Sequence, residues 1–364
     1  MKDEKSFKHK VHEGHKGFFF VYFVSFVFIL SGCLQSSDCF REDVFCAGLV
    51  TDTLGINDHG LNQDTWAGLE EAKANGLVDR IEYIESVDTR DYEKNIAYFA
   101  ENGYDVIITS GIGLLDETLR AADFYPFDPA HIVPTLSREG RPDPVFVGMN
   151  QPYEELRPNL ISITFAEDQM GFVAGALAAR ISETQIIGAV CETSGIDSMW
   201  RYCEGFRAGA KFVDENIKVQ VIYREDGNSE TLFLDEAWGY DTAQKLIQRG
   251  VDVIFAAGGG TGQGALRAAA EANVPAVGAE RDQATVLAES GSSVVTSIFG
   301  RASFEVQNVM RLLRGGNAYE PGLSQIGYVP LNQKFPESLT RGMDILLMGL
   351  RKGEIKTGVS FEKP

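Results

Sequence analysis

Gly-Tyr-Asp-Val-Ile-Ile-Thr-Ser-Gly-Ile-Gly-Leu-Leu-Asp-Glu-Thr-Leu-Arg-Ala-Ala, at residues 103–122, has a second copy in this chain of 364 residues. Residues 250–269 read Gly-Val-Asp-Val-Ile-Phe-Ala-Ala-Gly-Gly-Gly-Thr-Gly-Gln-Gly-Ala-Leu-Arg-Ala-Ala, and 10 of the 20 aligned positions are identical. Each copy has an apolar run, a glycine turn and the start of an amphipathic helix, which is half of a βαβ unit. Two similar α/β halves predict two lobes, and a cleft between lobes is a common site for small ligands.

Strands and helices alternate on both sides of these copies. Apolar runs predict strands at residues 44–51, 80–86, 160–165, 185–191, 219–223, 274–278 and 294–298, and helical periodicity predicts helices at 62–75, 90–102, 168–181 and 199–213. This alternation favours a parallel sheet in each lobe. Since the strand at 294–298 follows a complete second lobe, we expect the chain to return there to the first lobe.

The N-terminus is predicted to be a secretory leader. Five lysines precede an uncharged run at residues 18–30, which is too short to span about 30 Å of hydrocarbon at about 1.5 Å per residue. The run ends in Leu-Ser-Gly-Cys, which resembles a bacterial lipobox with lipid on Cys33. An ordinary signal peptide or short anchor with an incidental cysteine is the alternative. Either way, the mature domain leaves the cytoplasm.

The mature chain is strongly acidic. Removing residues 1–32 takes away five lysines and three acids, which leaves 28 basic and 49 acidic residues and a net charge of about −21. This charge repels phosphate backbones, so nucleic acid is disfavoured as a partner. No His and Cys cluster has zinc spacing, so no metal site is predicted.

Four cysteines follow Cys33: Cys39, Cys46, Cys191 and Cys203. An oxidising compartment permits disulfides, with three possible pairings. Cys191 ends a predicted strand and Cys203 lies in the next helix, so a bond between these two is a plausible pairing.

Two polar loops follow predicted strands. The loop at 258–264, Gly-Gly-Gly-Thr-Gly-Gln-Gly, is no P-loop and has only the loose form of a dinucleotide fingerprint. We interpret it as backbone N–H donors that approach a polar ligand; a tight turn needing positive φ is the alternative. After the first strand, Asp52 and Asn62 are predicted to face the ligand crevice. Helix capping is the alternative role for Asn57, Asp58 or Asn62, but it does not account for Asp52.

These segments resemble the basic membrane protein family, the lipoprotein receptors of nucleoside ABC transporters. The family motif reads approximately Val-Thr-Asp-x-Gly-Gly-x-Asp-Asp-x-Ser-Phe-Asn-Gln-x-x-Trp-x-Gly. It is matched here by Asp52, Gly55, Asp58, Asn62, Gln63, Trp66 and Gly68. Residues 252–262 are close to the family's Asp-Val-Ile-Phe-Ala-Ala-x-Gly-Gly-Thr-Gly. The resemblance extends from about residue 45 to 312.

The resemblance implies an α/β fold of the type I periplasmic binding protein class, with two Rossmann-like lobes and parallel sheets joined by hinge strands. It also implies that a nucleoside base stacks between aromatic rings while carboxylates hold ribose hydroxyls and base nitrogens. Phe233 matches the second ring, because Phe-Leu-Asp-x-Ala-x-Gly at residues 233–239 parallels the family's Phe-x-Asp-x-Ala-x-Gly. A core phenylalanine at a helix start is the alternative.

Four positions depart from the family pattern. Leu61 replaces the usual first stacking phenylalanine, and Asn150 and Glu280 each replace an aspartate. Gly300 replaces the lysine that is expected before Arg301. Residues around the expected ligand are therefore changed while the frame of the family is kept.

The sequence therefore predicts a lipid-anchored solute-binding protein at the cell membrane, facing the periplasm or exterior. It is expected to bind a nucleoside or related small polar ligand between its lobes and to serve the permease and ATPase subunits of an ABC transporter. We expect a monomer that has no cofactor and is not an enzyme. The predicted ligand contacts are Asp52, Asn62, Asn150, Phe233, Gly259, Gly260, Thr261 and Glu280. A sensor or surface lipoprotein that keeps the receptor fold is the alternative; a dinucleotide-dependent enzyme is disfavoured by the leader and the scarcity of histidine.

The predicted domain organisation has four parts. A signal peptide occupies residues 1–32 and a tether residues 33–43. The N-terminal lobe comprises 44–157 and about 282–320, and the C-terminal lobe comprises 158–281 and about 321–364.

Overall fold

The computed structural model describes residues 39–41, 43–125, 143–153, 155, 157–225, 231–315, 323–324, 326–331 and 334–364. They belong to one compact unit, which contains two six-stranded sheets. The predicted signal peptide, the lipidation site at Cys33 and most of the tether lie outside the described residues. In the part of the chain that is described, no helix is both long and apolar enough to cross a bilayer.

The two sheets have the same plan. The strands are β1 (Cys46–Thr51), β2 (Arg80–Glu85), β3 (Val106–Ser110), β4 (Val145–Met149), β5 (Leu160–Phe165), β6 (Ile186–Cys191), β7 (Lys218–Tyr223), β8 (Val253–Ala257), β9 (Ala276–Ala279), β10 (Val294–Gly300), β11 (Leu323–Ser324) and β12 (Ile326–Tyr328). The first sheet has the order β11-β5-β4-β3-β1-β2 and the second has the order β12-β10-β9-β8-β6-β7. Each strand of one lobe therefore has a counterpart in the other.

Neighbouring strands run parallel, except that β12 is antiparallel to β10. The repeated segment of the sequence forms β3 in one sheet and β8 in the other. Its central apolar residues are buried in both copies, as expected for strands that are covered on two faces. The prediction of two α/β lobes with parallel sheets is confirmed.

Helices cover the faces of both sheets. They are α1 (Leu61–Ala74), α2 (Tyr92–Glu101), α3 (Leu115–Phe124), α4 (Glu167–Ile181), α5 (Asp197–Val213), α6 (Glu236–Gln248), α7 (Gly259–Glu271), α8 (Gln283–Leu287), α9 (Ala302–Arg314) and α10 (Glu337–Arg351). Helices α1 and α9 pack together in the first lobe, whereas α4, α5 and α10 pack in the second. The chain therefore crosses between lobes after β5 and after β10, and again between β11 and β12.

Three predicted domain boundaries differ from these strand pairings. The boundary at residue 158 places β5 in the C-terminal lobe, but β5 pairs with β4 in the first sheet. The return at about residue 282 is also too early, because β10 pairs with β9 and buries Val294 in the core of the second lobe. The chain returns to the first lobe only with α9. Strand β11, which was expected in the C-terminal lobe, pairs with β5.

The end of the predicted tether is part of the folded domain. Cys39 is 1% exposed and forms a disulfide with Cys46 at the amino end of β1. Cys191 and Cys203 form the second disulfide, a pairing that the sequence made plausible among three possible ones. This second bond joins the carboxyl end of β6 to α5.

Four glycines allow α4 and α5 to pack backbone against backbone. Gly171 and Gly175 lie one turn apart on α4, and Gly205 and Gly209 are spaced in the same way on α5. A Cβ at any of them would overlap a backbone carbonyl of the opposite helix. Because neither helix has a side chain at these points, the two axes lie closer than side-chain packing permits.

We expect Gly175→Ala to destabilise the protein, because its new methyl group would overlap the carbonyl of Phe206. Overpacking of this kind lowers the unfolding free energy by about 1–3 kcal/mol. Urea unfolding would measure it. Gly342→Ala is the matched control, because that glycine lies on α10 with nothing within 4 Å of the new Cβ. The control should be neutral or stabilising by about 0.5–1 kcal/mol; equal losses in both variants would contradict close packing of α4 on α5.

Candidate functional site

A cavity of about 120 Å³ lies where the carboxyl ends of the two sheets face each other. Ligand sites are typically concave and lined by apolar side chains with a few polar groups, and the lining of this cavity follows that pattern. The residues that line it come from both lobes: Asp52, Leu54, Asp58, Gly60, Leu61, Asn62, Gly111, Ile112, Asn150, Phe165, Ile196, Ser198, Met199, Phe233, Gly258, Gly259 and Glu280.

The structure brings together six of the eight predicted ligand contacts at this cavity. Asp52, Asn62 and Asn150 lie on the first lobe, and Phe233, Gly259 and Glu280 lie on the second. They come from separate strand ends, helix starts and loops. Their convergence follows from the parallel sheets, whose carboxyl ends all meet at this face.

The other two predicted contacts do not line the cavity. Thr261 is fully buried, and its hydroxyl donates to Glu192 Oε2 at 2.5 Å. The N–H of Gly260 donates to the carbonyl of Phe233 at 2.7 Å, so it is not available to a ligand. Since α7 begins at Gly259, the residues that follow it turn inward, and the structure gives no support to the prediction that these two contact a ligand.

The repeated segment contributes a matching glycine to each wall. Gly111 and Gly258 follow β3 and β8, both line the cavity, and their φ angles are 105° and 115°. A Cβ at Gly111 would overlap the Asp52 carboxylate, and one at Gly258 would overlap Glu192. Positive φ and close approach both require glycine here. These acids follow β1 and β6, so the same contact is built twice.

The Asp52 carboxylate is held by one of its two oxygens. Oδ1 accepts from Asn62 Nδ2 at 2.8 Å and from the Leu54 N–H at 3.1 Å. Oδ2 has no hydrogen-bond partner among the described residues. Burial raises the pKa of Asp52 to about 6. The N-terminus of α1 is capped by Asp58 instead, whose carboxylate accepts hydrogen bonds from the N–H groups of Gly60, Asn62 and Gln63.

Glu280 presents a second carboxyl from the opposite lobe. Its Oε1 accepts from the Tyr202 hydroxyl at 2.8 Å, while Oε2 has no partner in the described part of the chain. Burial is the main cause that raises the pKa of Glu280 to about 8, with Glu167, Asp64 and Asp58 adding repulsion. The side chain is therefore largely protonated at neutral pH.

Three residues of the cavity other than glycine have a left-handed backbone. The φ angles are 58° for Asn150, 64° for Phe233 and 68° for Glu280. Such values are uncommon outside glycine, and they occur where surrounding structure holds a residue in a functional position. The N–H of Asn150 donates to Ile163 on β5, and that of Glu280 donates to Ile298 on β10. Each turn thereby directs a side chain from the end of a strand into the gap.

Apolar side chains form the rest of the cavity and were not all predicted. Leu61 and Ile112 face it from the first lobe, and Ile196 and Met199 face it from the second beside Phe233. Phe165, at the end of β5, completes this set. The sequence carries little signal for them, because an apolar residue after a strand resembles an ordinary core residue.

A buried ion pair supports the Phe233 loop. Arg224 Nε lies 2.5 Å from Glu192 Oε1, and both side chains are at most 2% exposed. Glu192 also accepts from Thr261, whose hydroxyl in turn accepts the N–H of Asp235. These contacts fasten the loop that carries Phe233 to the start of α7. Sequence reasoning missed this cluster, since its members are far apart in the chain.

The described residues contain no group of three or more His, Cys, Asp or Glu side chains arranged to hold a metal ion. The described residues that line the cavity also include no lysine or arginine. Its polar groups are therefore carboxyls, amides, backbone and one serine hydroxyl.

A model of the Bmp family, described as "ABC transporter substrate-binding protein PnrA-like", matches residues 46–322. The chain belongs to the Bmp family. It is accordingly a substrate-binding protein of the ABC transporter type, as the residues after β1 and within β8 indicated.

Characterised relatives are similar over most of their length. The chain is 29% identical over 325 residues to the "CD4+ T-cell-stimulating antigen" of Listeria monocytogenes, which covers 82% of this chain and 83% of that protein. It is 29% identical over 273 residues to the "ABC transporter nucleoside-binding protein BmpA" of Lactococcus lactis, which covers 71% of each chain.

Solved structures share the fold at low sequence identity. A solute-binding protein of an ABC transporter system from Aeropyrum pernix has a TM-score of 0.68 at 17% identity, covering 86% of this chain and 92% of that one. A similar protein from Conexibacter woesei has a TM-score of 0.68 at 20% identity, covering 87% and 100%. The type I periplasmic binding protein fold is confirmed.

We expect Glu280→Gln to make stability less dependent on pH. An acid whose pKa is raised by folding stabilises the protein fully below its unfolded pKa of about 4.5, and this contribution is lost as pH rises toward 8. Glutamine stays neutral and still accepts from Tyr202. The fall in unfolding free energy between about pH 5 and 8 should become shallower by about 1.4 kcal/mol for each pKa unit removed. Urea unfolding at several pH values would measure it, and parallel profiles would contradict a buried, protonated Glu280.

Proposed function

We propose that this protein is an extracytoplasmic, lipid-anchored receptor that binds a nucleoside or related small polar ligand between its lobes and delivers it to an ABC permease. The observation that carries the proposal is the convergence of six predicted contacts, three from each lobe, on one cavity. A ligand that touches both lobes favours the closed form, because it gains those contacts only when the lobes are together.

The polar groups of the cavity fit a ligand that both donates and accepts hydrogen bonds. Asp52 lines it from the first lobe and its Oδ2 accepts no hydrogen bond from the described residues, while the Asn150 side chain likewise has no hydrogen bond to the described protein. Glu280 can donate from the second lobe in its protonated form. Since no basic residue is among the described residues that line the cavity, an anionic group would be buried there without a counter-charge from them. Hydroxyls and ring N–H groups satisfy these partners, and a phosphate does not.

The apolar groups fit a ring. Phe233 reaches the cavity from one lobe, while Leu61 and Ile112 face it from the other. An aromatic face offers stacking to any base, so it supplies affinity with little discrimination. The Lactococcus relative is named for nucleoside binding, which agrees with this chemistry.

A solute receptor accounts for the glycine loop better than a dinucleotide enzyme does. In a dinucleotide site the loop before the helix leaves its N–H groups free for a pyrophosphate. Here the Gly260 N–H is bound to Phe233. We therefore propose that the protein has no enzymatic activity.

The ligand class is tested by a thermal-shift and calorimetric screen of the mature domain against nucleosides, bases, sugars and amino acids. A ligand at about 100 times its Kd should stabilise the protein by roughly 2.7 kcal/mol. Phe233→Ala should weaken nucleoside binding about tenfold, since an aromatic contact in a closed site contributes about 0.5–1.5 kcal/mol. Phe124→Ala, at a ring 78% exposed on α3, is the control and should bind normally. No stabilisation by any nucleoside, or normal binding by Phe233→Ala, would refute the assignment.

The lipid anchor is tested separately. Cys33 lies outside the described residues, and its proposed role rests on the lipobox-like Leu-Ser-Gly-Cys that precedes the mature chain. We expect Cys33→Ser to abolish labelling by a radioactive fatty acid and to release the protein from the membrane fraction of a bacterial expression host. The Cys39→Ser variant should remain labelled and membrane-bound. Unchanged labelling of the Cys33 variant would place the lipid elsewhere or exclude it.

A further inference from the structure

The two strands that lead across the lobes end in contact with each other. Strands β5 and β10 are counterparts in the sheet order, and each is followed by a helix of the opposite lobe. β5 ends at Phe165 and β10 ends at Gly300. A Cβ at Gly300 would overlap the Phe165 ring, with Cγ at 2.8 Å. The aromatic ring of one crossing strand thus fills the space of the missing side chain on the other.

This contact also forms part of the ligand cavity. Phe165 is 4% exposed and is one of the residues that line the cavity. The carbonyls of Ile163 and Ile298, two residues before the contact on each strand, hold the N–H groups of Asn150 and Glu280. A shift of one crossing strand against the other would therefore move two proposed ligand contacts as well.

We propose that Phe165 is a ligand-contacting residue at the floor of the cleft and that Gly300 is the residue that permits it, so that this pair serves as both pivot and specificity determinant. The part about the ligand rests on the proposed function. An apolar ring at the floor selects an uncharged, flat or aliphatic part of the ligand, because a charged group there would lose its water without gaining a partner.

The contact is tested without a ligand by a double-mutant cycle. Gly300→Ala should lower the melting temperature through overlap with the ring, and Phe165→Leu should lower it by removing part of the ring's contacts. The double variant should melt higher than the two single effects predict, since leucine leaves room for the methyl group. In small-angle scattering, Gly300→Ala should change the radius of gyration, and adding Phe165→Leu should reverse the change.

A second glycine and ring pair gives the matched control. Gly48 on β1 lies against Phe99, and a Cβ there would be 2.5 Å from the ring, but neither residue lines the cavity. The Gly48→Ala and Phe99→Leu cycle should show the same non-additive melting temperatures. It should leave both the radius of gyration and ligand affinity unchanged, because this pair lies within one lobe.

The ligand role is tested by calorimetry with adenosine, guanosine, cytidine and uridine. Phe165→Leu and Gly300→Ala should each weaken binding about tenfold, whereas the control pair should bind as the parent does. Normal affinity in both variants would overturn the ligand contact, and additive melting temperatures with an unchanged radius of gyration would overturn the pivot. If the parent protein binds no nucleoside, the proposed function fails on its own, and the scattering and melting data still decide the pivot.

Discussion

The binding cleft depends on backbone turns that L-residues adopt at some cost. Asn150 and Glu280 leave the ends of β4 and β9 with positive φ, and each is held by one N–H bond to the neighbouring crossing strand. Strain of this kind costs of order 1–3 kcal/mol for each residue and persists only where rigid surroundings impose it. The parallel sheets supply that rigidity. Without it, the side chains would relax away from the gap and the two lobes would present no common set of contacts.

The two lobes repeat one plan but use it differently. Asp52 and Glu192 occupy matching places after β1 and β6, each pressed against a glycine of the repeated segment. Glu192 is neutralised by Arg224 and serves as an internal support. Asp52 has no such cation among the described residues, and it lines the cavity with Oδ2 free of hydrogen bonds from that part of the chain. Glu192 thus stabilises its own lobe, while Asp52, at the matching position of the other lobe, remains available to bind a ligand.

The sequence was sufficient for features that depend on local pattern, and insufficient for those that depend on distant neighbours. The repeat, the strand and helix alternation and the crevice position of Asp52 follow from periodicity and from the geometry of parallel sheets. The sequence did not correctly predict which lobe contains β10. Its apolar residues suit either sheet, and only its pairing with β9 assigns it to the second. Thr261 does not line the cavity because α7 begins at Gly259, and a shift of one residue in a helix start rotates each side chain by about 100° around the axis. From sequence alone Phe165 resembles a core residue. Its contact with Gly300 and its position at the cavity become apparent only in the structure.

The glycine contacts between α4 and α5 have a mechanical consequence. Helix α4 begins two residues after Phe165, so it is the first element to be carried when the crossing strand β5 turns. At the four glycines the helices touch through their backbones, so no rotamer change can open a gap there. Around these points side chains join the two helices, among them the Arg201–Glu167 ion pair and the rings of Phe172 and Phe212. We therefore expect α4 and α5 to move together. A small rotation near the end of β5 is then amplified along the helices into a larger displacement at the far surface of the second lobe.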